Sequence, residues 1–413
     1  MTLHPISAGE NLCPEKWSAL RTRAIFDYCK WDVQCEDRSV LAAFPIFLEL
    51  ETARHLNEMA EALSLEALAA EEEILHRPEL LDLLSLPRAI RKSLQQGSHA
   101  QSPSDKLRVM RFDFHCTTQG WLISEVNSDV PGGFIEASGW SELFVRECAG
   151  ASAPVSPSEI YAQALHKAVG PNGLVALVHA TAYSDDRQVM QHLARCFSRV
   201  GLRTCLLSPS HLRWKGGRAE ICSTFTSGWP EAVVRFFPAE WLPNLSLENS
   251  WKPYFQQSQT PLSNPGSAIV IQTKRFPLVW DELRTDLSTW RRLLPETREP
   301  PEILASIDDS WVLKPALGRV GQGIGIRGIT PPMQFQKIVR DARQNPETWI
   351  VQKRFDILPL MTASGEMYPC IGVFTIGGKA AGFYGRIAER PIITQHAQDV
   401  AVLIRSQPGR KSA

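Results

Sequence analysis

From Leu107 to Asn127 the sequence alternates as a β-hairpin does, and its polar positions fall where they constrain both fold and chemistry. In RFDFHCTTQGWLISEVNSD (Arg111 to Asp129), Arg111 and Asp113 are two residues apart and share one face of a strand. Phe112 and Phe114 take the other face. Glu125 and Asn127 share a face of the returning strand in the same way. A three-residue loop Thr118-Gln119-Gly120, with Gly120 at positive φ, would set Asp113 opposite Glu125 and Arg111 opposite Asn127. Two carboxylates brought that close repel unless a cation or a proton separates them. Oxygen donors from Asp113, Glu125 and Asn127 suit a hard ion such as Mg²⁺, which also takes phosphate oxygens and water. Arg111 adds a charge-assisted fork for a phosphate or carboxylate. A solvated, salt-bridged hairpin is the other reading of the same pattern.

Length and charge bound what surrounds this hairpin. The 413 residues exceed one ordinary core, so two or three packed units are expected. Lys+Arg and Asp+Glu are each 44, which leaves no net field for general nucleic-acid binding. An apolar share of 44% with 21% charged residues excludes wholesale disorder. Cysteines number nine, an odd count without a CxxC pair, so neither a disulfide framework nor a zinc knuckle is expected. MTLHPISAGE lacks the basic and apolar regions of a secretory signal, and no apolar run approaches the ~20 residues of a membrane span. A cytoplasmic protein with reduced thiols and no membrane partner is the expectation.

Four stretches follow from composition. Residues 1–105 read as an N-terminal helical region: from about Ser39 to Gln96 the chain is rich in Leu, Ala and Glu, and Leu56, Met59, Ala60 and Leu63 fall on one helical face. Pro78 and Pro87 cut it into short helices, and GSHAQSPSD (Gly97–Asp105) is a linker. Residues 106–150 hold the hairpin and its following segment. Residues 151–305 read as an α/β unit, with a strand over Gly173–His179, a helix from Ser184 to Val200 stopped by Gly201, and strands at Arg203–Leu207 and Ala232–Phe237. Pro238 to Pro265, dense in Pro, Asn, Ser and Trp without a period, is expected to be a long surface excursion. A helical segment is expected around Leu278–Leu294. Residues 306–413 read as strand-dominated, with a hairpin turning at Gly377-Gly378 and carrying Arg386 on its far arm.

The strand Trp311-Val312-Leu313-Lys314-Pro315 ends in a lysine and runs into a loop containing Gly318, Arg319, Gly321, Gly323 and Gly325. Glycines let backbone N–H groups approach a phosphate closely, and Lys314 supplies a fixed charge. Gly323, Gly325 and Gly328 match GxGxxG in form, but Thr330-Pro331-Pro332 follows and no helix opens on the third glycine, so a dinucleotide site is rejected. No GK[ST] ends the run, which excludes a Walker A loop. A structural glycine hairpin is the alternative.

Taken together, RFDFH…EVNSDVPGG, VLKPALGRVGQGIGI and GVFTIGG…GRIAERPII resemble the synthetase domain of glutathionylspermidine synthase and its ATP-grasp relatives, over about Arg108 to Ile404. The resemblance implies an α/β (α+β) ATP-grasp fold with a pre-ATP-grasp subdomain, and no amidase domain is expected. It implies an ATP- and Mg²⁺-dependent ligase that activates a small-molecule carboxylate as an acyl phosphate for attack by an amine. Asp113, Glu125 and Asn127 resemble that family's magnesium ligands, and Arg111 its arginine at nucleotide and acid. Lys314, Gly318, Arg319, Gly321 and Gly323 resemble its phosphate grip, and Lys274 a further lysine near ATP. Val351, Gln352, Lys353 and Arg354 resemble its adenine hinge, Pro391, Ile392 and Ile393 a nucleotide-contacting edge, and Arg386 its arginine at the transferred phosphoryl. Two departures stand out: Val130-Pro131-Gly132-Gly133 replaces a small polar substrate contact, and only Lys337 offers a match for the second ATP lysine. A non-catalytic nucleotide-binding relative acting as an interaction module is therefore the alternative function.

Overall fold

The computed structural model describes residues 5–97, 107–245, 250–256, 258–319 and 321–405. Its centre is a nine-stranded sheet. In spatial order the main path runs Ile6–Ala8, Leu41–Glu49, Gln398–Arg405, Lys379–Ala388, Gly365–Ile376, Val109–Thr117, Gly120–Asn127. Strands from the beginning, middle and end of the chain thus pair in one layer. The acidic hairpin lies at one edge of it, beside the strand Gly365–Ile376, with Gly372 opposite Asp113 and Phe374 opposite Arg111. The strand pair across Gly377-Gly378 forms as expected, and Arg386 sits between Cys370 on one neighbour and Asp399 on the other.

One face of the sheet packs on the helix Leu50–His76, which buries Leu56, Met59, Ala60 and Leu63 as their spacing predicts. Phe112 and Phe114 are fully buried in that same cluster. Each contributes on the order of 2–3 kcal/mol by leaving water. A one-residue slip of the strand would lose both and bury Arg111 and Asp113 among aliphatics, so the register is strongly specified.

The α/β unit is a four-stranded parallel sheet in the order Leu262–Ser263, Ala232–Phe236, Leu174–His179, Arg203–Leu207, with the helix Ser184–Arg199 as its crossover. A second, antiparallel four-stranded sheet takes Thr297–Arg298, Trp349–Lys353, Trp311–Pro315 and Gly325–Ile326. It carries the glycine loop and has its own core of Leu313, Val351, Phe335, Ile338 and Ala342.

Three expectations are corrected. Leu41–Glu49 is a strand rather than part of a helical region. LAAFPIFLE is buried on both faces, so it shows an unbroken apolar run instead of alternation; the aromatics favour a strand, and Pro45 argues only against a helix interior. The Pro238–Pro265 stretch is not a surface excursion where it is described: Tyr254 and Phe255 are 2% exposed, and Asn264 is buried with its amide bonded to backbone at Val109, Ser128 and Asp129. Residues 246–249 and 257 of that stretch lie outside the described residues. Finally, a helix covers Pro332–Gln344 in the stretch read as strand-dominated, with Phe335, Ile338 and Ala342 on its inner face.

Candidate active site

The hairpin brings its four polar residues together by a different route from the one expected. Its loop is the two residues Thr118-Gln119, with Thr117 paired to Gly120 at φ +100°. Ser124 is then bulged out of the ladder, and this extra residue restores the pairs Asp113–Glu125 and Arg111–Asn127. Arg111 grips Asp113 with two parallel bonds, Nε to Oδ1 at 2.7 Å and Nη2 to Oδ2 at 2.9 Å. Its Nη1 donates to the Gly132 carbonyl at 2.6 Å, and its Cζ lies 4.7 Å from the centre of the Tyr384 ring. Gly372 allows this: a Cβ there would stand 2.8 Å from Arg111 Cδ. Asn127 Nδ2 donates to Asp113 Oδ2 at 3.1 Å.

Lys314 comes from the small sheet to the same place. Its Nζ donates to the Ser124 carbonyl at 3.0 Å and to Gln352 Oε1 at 2.7 Å, so the bulge that sets the hairpin register also presents the lysine's acceptor. Lys274 Nζ lies 3.1 Å from Glu125 Oε2 and donates to the Gly318 carbonyl at 2.8 Å. Burial opposes the Glu125 charge, but Lys274 and Lys314 outweigh it and hold the carboxyl down to about 2. Burial pushes Lys314 down to about 8; Glu125 opposes the shift and Lys274 adds to it.

These groups line one cavity of about 720 Å³, a size suited to a nucleotide-sized ligand. The hairpin supplies Arg111, Asp113, Glu125 and Asn127; the small sheet supplies Lys314, Gln352, Lys353 and Arg354. Arg319 and Gly321 of the glycine loop, Arg386, and Pro391, Ile392 and Ile393 complete the part that was expected. Gly321, at φ +68°, lets the loop close on the Ile393 carbonyl, which a Cβ would meet at 2.2 Å. Four expected residues are not in these walls. Lys274 stands behind Glu125 at an adjoining void of about 20 Å³, Val351 points into the small sheet's core, Gly318 offers its carbonyl to Lys274, and Gly323 packs near Pro315.

Residues 15–405 match the family described as glutathionylspermidine synthase pre-ATP-grasp. The chain belongs to that family. A glutathione synthetase-like effector from Globodera pallida, solved in its apo form, has the same fold: TM-score 0.63 at 11% identity, covering 94% of this chain and 96% of that one. A putative γ-glutamylcysteine synthetase from Methylobacillus flagellatus is similar at TM-score 0.44 and 14% identity, over 81% of this chain and 86% of that one. Curated protein sequences give no match. Family membership makes this pre-ATP-grasp protein a relative of ATP-grasp synthetases. No described helix is long and apolar enough to cross a membrane.

Within this family member the carboxylates already have basic partners, Arg111 for Asp113 and Lys274 for Glu125. Among the described residues no three His, Cys, Asp or Glu side chains converge as a metal cluster. A metal here would rely on the Asn127 amide beside two carboxylates. That all-oxygen set fits a hard cation in kind.

Sequence reading missed much of the remaining wall. Lys30 with Asp32, then Glu136, Tyr384 and Asp399 line the cavity from segments far apart in the sequence, with no spacing between those segments that would announce them. Glu136 lies on a π-helical turn, Glu136–Trp140, a feature that often marks functional sites. Arg319, expected at phosphate, lines the cavity with its guanidinium held by Glu240 at 3.0 and 2.9 Å and by Asp129 at 2.9 Å.

Proposed function

We propose that the protein is an ATP- and Mg²⁺-dependent ligase that joins a small-molecule carboxylate to an amine through an acyl phosphate. The observation that carries this reading is the convergence, on one cavity, of the hairpin's Arg111, Asp113, Glu125 and Asn127 with Lys314 and Arg386 from elements distant in sequence. Asp113, Glu125 and Asn127 would hold Mg²⁺, which when bound supplies charge neutralisation at phosphate oxygens.

The chain's own groups account for the rest. Lys314 places a positive charge on a rigid strand, fixed by two hydrogen bonds, where a phosphate chain would lie. Arg111 and Arg386 offer guanidinium groups to the charge that develops on a transferring phosphoryl group. Arg386 is held by the carbonyls of Thr394 and Ala397 at 2.9 and 3.2 Å, so its position is set before any ligand arrives. Gln352, Lys353 and Arg354 line the cavity wall where a nucleobase would lie. The glycine loop, seated against Ile393, excludes water from an acyl phosphate that would otherwise hydrolyse.

A second reading, a nucleotide-binding relative without turnover, is favoured by one observation. Because Arg111 and Lys274 already neutralise the two carboxylates, retaining those carboxylates costs little even without a metal. A phosphate-release screen of candidate acids against amines and amino acids separates the two. ADP release that requires both an acid and an amine supports the ligase. Nucleotide binding without release under any pairing supports the second reading.

A further inference from the structure

Beside Arg386 the cavity wall contains a group of ionisable side chains to which the ligase reading gives no role. Lys30, Glu136 and Asp399 are 3%, 7% and 5% exposed. Lys30 Nζ pairs with Glu136, lies 3.0 Å from Asp32 Oδ1, and donates to Asp399 Oδ2 at 3.2 Å. One ammonium therefore answers three carboxylates. Asp399 passes the constraint on: its Oδ1 accepts the Tyr384 hydroxyl at 2.6 Å and stands 3.8 Å from Arg386 Nε. The Tyr384 ring in turn lies against the Arg111 guanidinium.

Lys30 is delivered to this place by a fixed backbone. The helix Pro14–Tyr28 ends at Cys29 in the left-handed region, φ 64°, and the Lys30 N–H returns to the Ala24 carbonyl at 2.9 Å. The next two N–H groups, of Trp31 and Asp32, donate to Gln188 Oε1 at 2.7 and 3.3 Å. An ammonium held on both sides like this is part of the wall rather than a mobile surface charge. Without it, buried carboxylates would stand unpaired, which is strongly destabilising.

We propose that Lys30 is a positioning residue. Its tethered ammonium draws Asp32, Glu136 and Asp399 together and fixes Asp399, whose other oxygen holds the Tyr384 hydroxyl and so sets the Tyr384 ring against Arg111. Its bearing on turnover rests on the cavity being the substrate site of the ligase proposed above.

The test is Lys30→Ala with n-butylammonium chloride as the missing ammonium, against n-butanol and tetramethylammonium chloride. The variant's thermal midpoint is expected to fall and to recover with n-butylammonium alone, which binds it at least about tenfold more tightly than it binds the wild type. In the variant, 1,4-diaminobutane is expected to stabilise as well, while Lys30→Arg responds to neither amine. Equal responses to all three additives, or a wild type that responds as the variant does, overturn the assignment. If Lys30→Ala does not fold in buffer, its refolding yield in the same solutions is the readout: recovery with n-butylammonium alone supports the proposal, and equal yields overturn it. These measurements use neither ATP nor turnover. Amine rescue without ADP release from any acid and amine would sink the ligase reading and keep Lys30's positioning role. Wild-type ADP release together with a variant blind to n-butylammonium would do the reverse.

Discussion

The acidic hairpin and the glycine loop meet at Lys314, yet they are built on opposite principles. The hairpin is held by backbone ladders, its own and that to Gly365–Ile376. The loop has little ladder of its own. It is held at Gly318 by Lys274, at Arg319 by Asp129 and Glu240, and at Gly321 by close approach to Ile393. Asp129 is itself fully buried and shared with Arg235, so the loop is tied to the α/β unit's core. The hairpin should therefore behave as fixed machinery, whereas the loop opens by giving up its few contacts to Lys274, Asp129 and Glu240.

The largest expected effect is on the hairpin. Asp113→Asn or Glu125→Gln, which keep an oxygen acceptor for the buried Arg111 or for Lys274, should lower turnover at least about a thousandfold with little loss of folding; near-normal rates at saturating Mg²⁺-ATP would remove the metal assignment. Next, Gly372→Ala drives a Cβ into Arg111, and an overpacked site of this kind costs about 1–3 kcal/mol. Its denaturation midpoint should drop and its rate fall together, because the same contact serves both. Nucleotide affinity should also depend on pH. Folded Lys314 loses its proton as pH rises through about 8, so affinity should fall there. Glu125, held at about 2, stays charged throughout that range and adds no acid-side change near neutrality. A flat calorimetric profile from pH 7 to 9 would contradict this. The last effect is Arg319→Ala: it takes one partner from the buried Asp129, which keeps Arg235 and the Ala239 N–H, so stability should fall by about 1–3 kcal/mol while hydrogen exchange over 316–319 and 321–325 speeds up.

The same contrast explains what the sequence reveals. The hairpin is legible because strand periodicity is local, and Arg111, Asp113, Glu125 and Asn127 face one way whatever lies beyond them. Even so, the expected pairing arises from two offsetting departures, a shorter loop and a bulge at Ser124, and period alone does not show a bulge. The glycine loop is legible in composition but not in contacts: nothing near Arg319 in sequence points to Glu240 or Asp129. Leu41–Glu49 is hidden because a strand buried on both faces loses its alternation. Lys30, Glu136 and Asp399 are harder still. They become neighbours only when the helix Pro14–Tyr28, the turn after Gly133 and the strand Gln398–Arg405 have been assembled around the sheet.

The central claim is that hairpin and lysine-tipped strand hold one nucleotide between them. Calorimetric titration of a non-hydrolysable ATP analogue with Mg²⁺ into wild type, Lys314→Met and Glu125→Ala tests it most directly. Binding by the wild type should weaken about tenfold or more in Lys314→Met, and in Glu125→Ala it should lose its dependence on Mg²⁺. Unchanged affinity and unchanged Mg²⁺ dependence in both variants would contradict the account.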